Sequence, residues 1–294
     1  MRIVGIGRSV GPVLVGLLND AGNEVTVLAD VDTFWSSPTD YLTDATQAGQ
    51  IIPVDRNLVP PVISGARVLC VGLNYQDHVD EGSFRNEKPA EFPTLFARWS
   101  ASLTVDGADV PVPTGEDGLD WEGEVVAWIG STLVDATPEE ALAAVVGYST
   151  FNDITSRRAQ KRTSQWIMGK NGDRSGPLGP MIPASEVGDL RDGLRVVTRV
   201  NGEVVQHGNT SSMIYGVGET LSLISRSFTL NPGDLLATGT PSGVGYSRTP
   251  PWLLQPGDTV KVEVDRLGIL TNRIVDNVDR HARVRANSNA GALQ

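Results

Sequence analysis

A β-rich mixed α/β fold with a small β-rich unit at the N-terminus is the class this sequence predicts. Three observations carry that prediction. Short apolar runs recur between clusters of turn formers, and the 294 residues include 32 glycines and 18 prolines but only 6% aromatics. The clearest helix signal is confined to one short stretch, so many short strands joined by turns fit better than long helices.

The elements follow in chain order. Val13-Leu14-Val15 and the apolar-rich run 24–28 flank Asn19-Asp20-Ala21-Gly22-Asn23, a cluster of turn formers, which predicts a meander within residues 1–66. Gly5, Gly7 and Gly11, with Asp30 beyond, imitate a dinucleotide-binding fingerprint. Their spacing is one residue too long, however, and the helix that should follow would run only from Pro12 to Leu18, so strand–turn–strand is preferred. Pro60-Pro61 cannot continue a ladder or a helix, which places a linker over about residues 55–66. A catalytic domain over 67–278 and a flexible polar tail over 279–294 complete the expected organisation. Within that domain, residues 68–72 and 125–130 read as buried strands. Thr137-Pro138-Glu139-Glu140 opens a capped helix that should run to about Val146 and end at Gly147. Asn201-Gly202 is a two-residue hairpin signal, Pro232-Gly233-Asp234 and Pro256-Gly257-Asp258 repeat one turn chemistry, and residues 259–264 alternate strictly, as a strand does.

Charge and cysteine content narrow the function classes. Lys and Arg number 24 against 35 Asp and Glu, a formal net charge of −11 that repels phosphate backbones and anionic headgroups, so neither a nucleic-acid nor a membrane partner is expected. The single cysteine, Cys70, allows no intrachain disulfide and no cysteine metal cluster, which suits a reducing cytoplasm. No apolar run reaches the roughly 18 residues that span a bilayer, and no targeting signal is read at the start.

Four segments carry candidate chemistry. In Asp120-Trp121-Glu122-Gly123-Glu124, alternation puts Glu122 and Glu124 on one face of a strand. Two carboxylates so placed either lie on solvent or are compensated by a cation, and Asp153, after the apolar turn at 146–148, would complete an all-oxygen set suited to a hard ion such as Mg²⁺. His78 and Glu81, three apart, share a helical face, where the carboxylate can fix the imidazole tautomer; the pair is a general base or a surface ion pair. Arg157 and Lys170 gather positive charge that would neutralise an anionic substrate or simply face solvent. The glycine-rich run Thr238-Gly239-Thr240-Pro241-Ser242-Gly243-Val244-Gly245 is a tight turn or a cradle whose N–H groups hold a carboxylate.

Taken in order, these segments resemble the fumarylacetoacetate hydrolase family, in particular its shorter acylpyruvate-hydrolase branch. The resemblance spans about residues 67–275. It rests on Gly72-Leu73-Asn74-Tyr75, Asp77-His78, Phe92-Pro93-Thr94-Leu95-Phe96, the Asp120 to Glu124 segment, Gly147-Tyr148, Asn152-Asp153, Gly169-Lys170, Gly179-Pro180, Val200-Asn201-Gly202-Glu203, Pro232-Gly233-Asp234 and Thr238-Gly239-Thr240-Pro241. It implies a rolled β-sheet fold, usually homodimeric. It also implies a divalent ion on Glu122, Glu124 and Asp153, with Mg²⁺ or Mn²⁺ expected and Ca²⁺ admissible. His78, Glu81 and Lys170 would be catalytic, the first two on a lid over about 78–91, and Arg157, Gln160, Tyr148, Thr240 and Gly239 would contact a small 2-oxo acid. The implied reaction is cleavage of the carbon–carbon bond of an acylpyruvate such as fumarylpyruvate, by water that His78 deprotonates, with Lys170 stabilising negative charge. Decarboxylation of oxaloacetate and isomerisation of 2-hydroxyhepta-2,4-diene-1,7-dioate are the alternatives on the same site; a non-catalytic dinucleotide-binding protein is the more distant one. The position after Arg157 is commonly aspartate in relatives, whereas this chain has Arg158.

Overall fold

The computed structural model of the chain describes residues 1–43, 49–54, 58–81 and 91–277. The expected tail at 279–294 and most of the expected lid, 82–90, lie outside the described residues. Three sheets make up the rest. The first runs, edge to edge, Ile51–Pro53, Glu24–Asp30, Leu14–Leu18, Ile3–Ile6 and Leu58–Val59, each antiparallel to its neighbour. Ile3–Ile6 returns directly into Leu14–Leu18, so the glycines between them close a strand–turn–strand unit. Asp30, the acid that completed the apparent fingerprint, is a helix N-cap: its Oδ1 accepts from the backbone N–H groups of Asp32 and Thr33 at 3.1 and 3.0 Å. The short helix it introduces, Val31–Ser36, and the one that follows it, Pro38–Leu42, are not signalled by the alternation around them. Leu58–Val59 corrects the linker assigned to 55–66, because this pair bonds to Gly5 and Ile6 as a strand and only Pro60-Pro61 ends it.

The central sheet has eight strands. Along its main path lie Thr94–Trp99, Arg67–Gly72, Leu235–Ala237, Gly123–Ile129, Val145–Asn152, Gly176–Leu178 and Leu103–Val105, with Ile182–Pro183 paired to Val145–Asn152 off that path. The third sheet runs Glu203–Asn209, Arg195–Val200, Thr259–Val264, Gly268–Val275 and Asp109–Pro111. Asn201 and Gly202 both take positive φ, 51° and 90°, the backbone of a type I′ turn that matches strand twist, as the hairpin signal requires. The two Pro-Gly-Asp turns close alike: Asp234 and Asp258 each accept, through the side chain, the N–H three residues before, at 2.8 and 2.7 Å.

Thr137 and Glu140 form the reciprocal cap expected of them, with bonds of 2.9 and 3.2 Å, but the helix covers only Pro138–Ala143. Val145, Val146 and Gly147 already belong to the next strand. Gly147 therefore does not stop a helix. A Cβ there would stand 2.6 Å from the Met181 side chain and 2.8 Å from the Ile182 carbonyl oxygen, so the close pairing of Ile182–Pro183 requires its absence.

The two faces of the central sheet are buried differently. Val125, Ala127 and Ile129 point to one core with Val196, Val262 and Leu270 of the third sheet and with Leu221 and Ile224 of the helix Val217–Ser225. Val126 and Trp128, on the opposite face, pack with Ile3, Val15, Phe34 and Trp35 of the N-terminal unit. Trp35 stacks on Trp128 with ring centroids 5.4 Å apart and planes 11° from parallel, and its indole N–H donates to the Pro61 carbonyl at 2.7 Å. The Trp35→Ala variant should lose about 3–5 kcal/mol of stability, the usual cost of emptying a buried indole site. Equilibrium unfolding in urea measures that loss.

Candidate active site

Gly123–Ile129 delivers the acidic residues to one end of its N-terminal-facing surface. Glu122 and Glu124 sit at its start, two residues apart and on the same side as Val126 and Trp128. The neighbouring strand Val145–Asn152 ends beside them, where Asn152 Oδ1 accepts the Glu122 N–H at 3.0 Å and the Asp153 N–H donates to the Glu122 carbonyl at 2.9 Å. Two chain segments about thirty residues apart in sequence are thereby stapled together. One carboxylate oxygen from each of Glu122, Glu124 and Asp153 lies within 4.8 Å of the others, and all three residues are buried.

Three buried carboxylates in contact would repel and lose hydration unless neutralised. Lys170 Nζ supplies one cation, 2.6 Å from Glu122 Oε2 and 2.5 Å from Asp153 Oδ2. Arg98, fully buried, pairs with Asp153 through Nε and anchors its remaining nitrogens on Ser102, Ser175 and the Ile154 carbonyl. Arg157 stands between two acids, with Nε 2.7 Å from Asp120 Oδ2 and Nη2 2.7 Å from Glu122 Oε1, and its Nη1 donates to Gln160 at 3.0 Å. Burial pushes the Glu122 carboxyl up, but Lys170 and Arg157 outweigh it and hold the group down at about 2. Glu124 goes the other way. Burial, then the charges of Asp153 and Glu122, raise it well above the ordinary carboxylate range, and no cation touches it among the described residues. Lys170, despite burial, is held protonated by Asp153 and Glu122.

The glycine-rich loop provides the remaining compensation. Gly239 N–H donates to Glu124 Oε2 at 3.0 Å, Gly243 N–H to Glu81 Oε2 at 2.8 Å, and the Gly245 and Tyr246 N–H groups to the two oxygens of Asp120 at 2.7 and 3.1 Å. The loop is thus a carboxylate cradle, and its ligands are the protein's own acids. Gly239 has φ +91°, and a Cβ there would also stand 2.8 Å from that of Asn74, so only glycine presents this N–H. Asn74 itself, buried, ties the loop to a neighbouring segment: its Nδ2 donates to the Thr238 and Tyr215 carbonyls at 2.7 and 3.0 Å.

His78 and Glu81 lie on the helix Gln76–Glu81, Nδ1 2.7 Å from Oε1, as the spacing of three predicts. Burial raises the Glu81 carboxyl, but the bonds from His78, Gly243 and the Ser247 hydroxyl prevail and lower it, leaving a carboxylate beside the imidazole. With Nδ1 engaged, Nε2 is the nitrogen left for proton exchange.

These groups surround a cavity of about 340 Å³. His78, Glu81, Glu122, Glu124, Arg157, Gln160, Lys170 and Thr240 all line it. Asp153 sits just behind, screened by Lys170 and Arg98, and Gly239 contributes through its N–H to Glu124. Tyr148 does not line the cavity. Alternation along Val145–Asn152 turns it into the opposite core with Ala127 and Ile182, correcting its expected contact with substrate. Arg158 also faces away, toward Asp117 at 3.9 Å and the Gly115 carbonyl, so the cation in place of the usual aspartate lies outside the cavity. Sequence reading missed Arg98, 55 residues from its partner Asp153, and the bonding role of Asp120, whose presence in the acidic motif was its only signal. Lys161, Trp166 and Tyr246 are further lining residues without a sequence signal, and Phe96, which ends one of the resembling motifs, lines the cavity as well. The Lys170→Met variant should lose about 3–5 kcal/mol in chelator, because two buried carboxylates lose their shared cation. Thermal or denaturant unfolding measures it.

Comparison with known proteins gives concordant matches. The family profile described as fumarylacetoacetate (FAA) hydrolase C-terminal matches residues 67–275. The mitochondrial oxaloacetate tautomerase fahd2 of Xenopus laevis is 34% identical over 221 residues, covering 74% of this chain and 68% of its own. The structure of fumarylpyruvate hydrolase from Pseudomonas aeruginosa, in complex with Mn²⁺ and pyruvate, is similar with a TM-score of 0.67 at 35% identity, covering 75% of this chain and 92% of that one. For 2-hydroxyhepta-2,4-diene-1,7-dioate isomerase from Mycobacterium marinum the TM-score is 0.74 at 30% identity, with 95% and 99% covered.

Proposed function

The chain belongs to the fumarylacetoacetate hydrolase family, and we propose that it is a metal-dependent hydrolase cleaving the carbon–carbon bond of an acylpyruvate such as fumarylpyruvate. The relatives named above are hydrolase, isomerase and tautomerase, so an enzyme of this family is the common ground. The observation that carries the finer reading is the convergence of Glu122, Glu124 and Asp153 within 4.8 Å, beside a His–Glu pair in one cavity.

The donor set fits a hard divalent ion. All three groups are carboxylates, and among the described residues Glu124 accepts a bond from the Gly239 N–H and pairs with no cation. Mg²⁺ or Mn²⁺ held by Glu122, Glu124 and Asp153 would polarise the 2-oxo acid end of the substrate and make its enolate a tolerable leaving group. The protein's own groups do the rest. Lys170 and Arg157 keep Glu122 ionised and fixed in direction. Gln160, its carbonyl engaged by Arg157, offers its amide N–H groups to a substrate oxygen. His78 Nε2 takes a proton from water, the oxygen bonds to the distal carbonyl carbon, and the carbon–carbon bond breaks with its electron pair passing to the pyruvate enolate. Returning that proton to the enolate carbon yields pyruvate and the free acid, while Glu81 stabilises the imidazolium between the two transfers. This reading places the catalytic unit at 67–278 of a homodimeric, cytoplasmic enzyme with a small-molecule 2-oxo acid as its partner. No helix among the described residues is long and apolar enough to cross a membrane.

Isomerisation or tautomerisation is the second reading, favoured by the isomerase and tautomerase relatives, since a histidine that exchanges a proton with an enol needs no attacking water. A panel of acylpyruvates, oxaloacetate and hydroxydiene diacids assayed under one metal decides: hydrolysis predominates if the proposal holds. Glu122→Ala and His78→Ala should each abolish turnover, the first with loss of Mn²⁺ binding and the second without it. Full activity in either variant overturns the assignment. Chelation should likewise stop turnover, and Mg²⁺ or Mn²⁺ at 100 times its Kd should stabilise the fold by about 2.7 kcal/mol, whereas NAD should leave the melting temperature unmoved.

A further inference from the structure

Three lysine and arginine side chains line the cavity among the described residues: Arg157, Lys170 and Lys161. The first two are committed. Arg157 donates to Asp120 and Gln160 and is ion-paired with Glu122 through Nη2, which makes no hydrogen bond of its own among the described residues, and Lys170 bridges Glu122 and Asp153. Lys161 is different. Its ammonium rests 3.7 Å from the centroid of the Tyr246 ring, and no carboxylate among the described residues pairs with it. Both residues are exposed, so they sit at the mouth, whereas the acidic cluster forms the buried end.

The position of this cation is built in. Lys161 caps the helix Arg157–Gln160, its N–H donating to the Arg157 carbonyl at 3.2 Å, and the Tyr246 N–H is held by Asp120, the same acid that grips Arg157. One buried carboxylate thus fixes both the helix that carries the lysine and the ring that supports it. Its basic neighbours lead elsewhere: Arg158 turns to Asp117, and Arg162 lines a separate cavity. A cation seated on an aromatic face with no anionic partner is an open position for one.

We propose that Lys161, seated on Tyr246, is a specificity-determining residue that reads the terminal carboxylate at the far end of the substrate. The proposal rests on the reading of the buried end as the seat of the 2-oxo acid. With that end held at the acidic cluster, the other end of an extended chain reaches the mouth, where Lys161 meets a carboxylate and gains nothing from an alkyl or ester terminus.

The test uses two ligand pairs on the full-length protein with saturating Mn²⁺. Turnover is measured for fumarylpyruvate and its terminal methyl ester. Equilibrium binding is measured by calorimetry for 2-oxopimelate, which has similar length without the scissile β-dicarbonyl, and for its terminal methyl ester. In Lys161→Met the preference for diacid over ester should fall about tenfold, in KM and in Kd alike, with kcat within about twofold, as expected on losing one charge-assisted contact at a partly exposed site. Lys161→Arg should restore the preference, and raising the salt should shrink it in the wild type. A preference unchanged by Lys161→Met, or both ligands weakened equally, overturns the proposal. If the wild type hydrolyses neither acylpyruvate, the hydrolase reading fails, and the calorimetric preference still decides the role of Lys161.

Discussion

Burying several carboxylates in one place is the constraint on which the rest of this structure depends. Each would lose its hydration, and together they would repel, so the fold must surround them with donors. Two kinds are used. Lys170, Arg98 and Arg157 supply full charges to Glu122, Asp153 and Asp120, while the loop around Gly239 to Tyr246 supplies backbone N–H groups to Glu124, Glu81 and Asp120. Because one loop serves three acids, the candidate metal ligand, the partner of the candidate base and the anchor of Arg157 are fixed relative to one another. Among the described residues Glu124 remains the least compensated of these acids, with a backbone N–H from Gly239 and no paired cation.

Sheet geometry explains how these acids come to lie beside a dry core. Along Gly123–Ile129, the face that carries Glu124 continues through Val126 and Trp128 into contact with the N-terminal unit. Backbone bonds between Ile3 and Met181, at 2.8 and 2.9 Å, fasten that unit to the rest of the chain. The N-terminal meander therefore borders the site even though none of its described residues lines the cavity: it covers the sheet face next to the acids. Cys70 lies on the same buried face, where burial pushes its thiol well above the usual range, so it is a packing residue and not a nucleophile.

Legibility in the sequence followed the range of the interaction. Local geometry was readable: Asn201-Gly202 turned as its backbone preference requires, Thr137 capped its helix, and the spacing of His78 and Glu81 gave a bonded pair. The shared face of Glu122 and Glu124 also follows from strand alternation alone, whereas Asp153 could be offered only as a further carboxylate after an apolar turn, because its convergence with them depends on the pairing of two strands. What escaped depends on contacts between distant segments. Arg98 comes from an edge strand with no charge pattern to mark it, and Tyr148 looked like a pocket residue until the register of its strand turned it inward. Gly147 resembled a helix stop because nothing local announces that Met181 and Ile182 press against it.

The glycine loop also bears on how such an enzyme changes its diet. A run of free N–H groups is ordinarily a ready receptor for foreign anions, but here those of Gly239, Gly243, Gly245 and Tyr246 are taken from within by Glu124, Glu81 and Asp120. Altering the loop to welcome a new reactant would release these acids and dismantle the interior before any novelty was gained. The exposed side chains of Lys161 and Thr163, which also line the cavity, hold none of these acids among the described residues, so substitutions there leave the deep machinery whole.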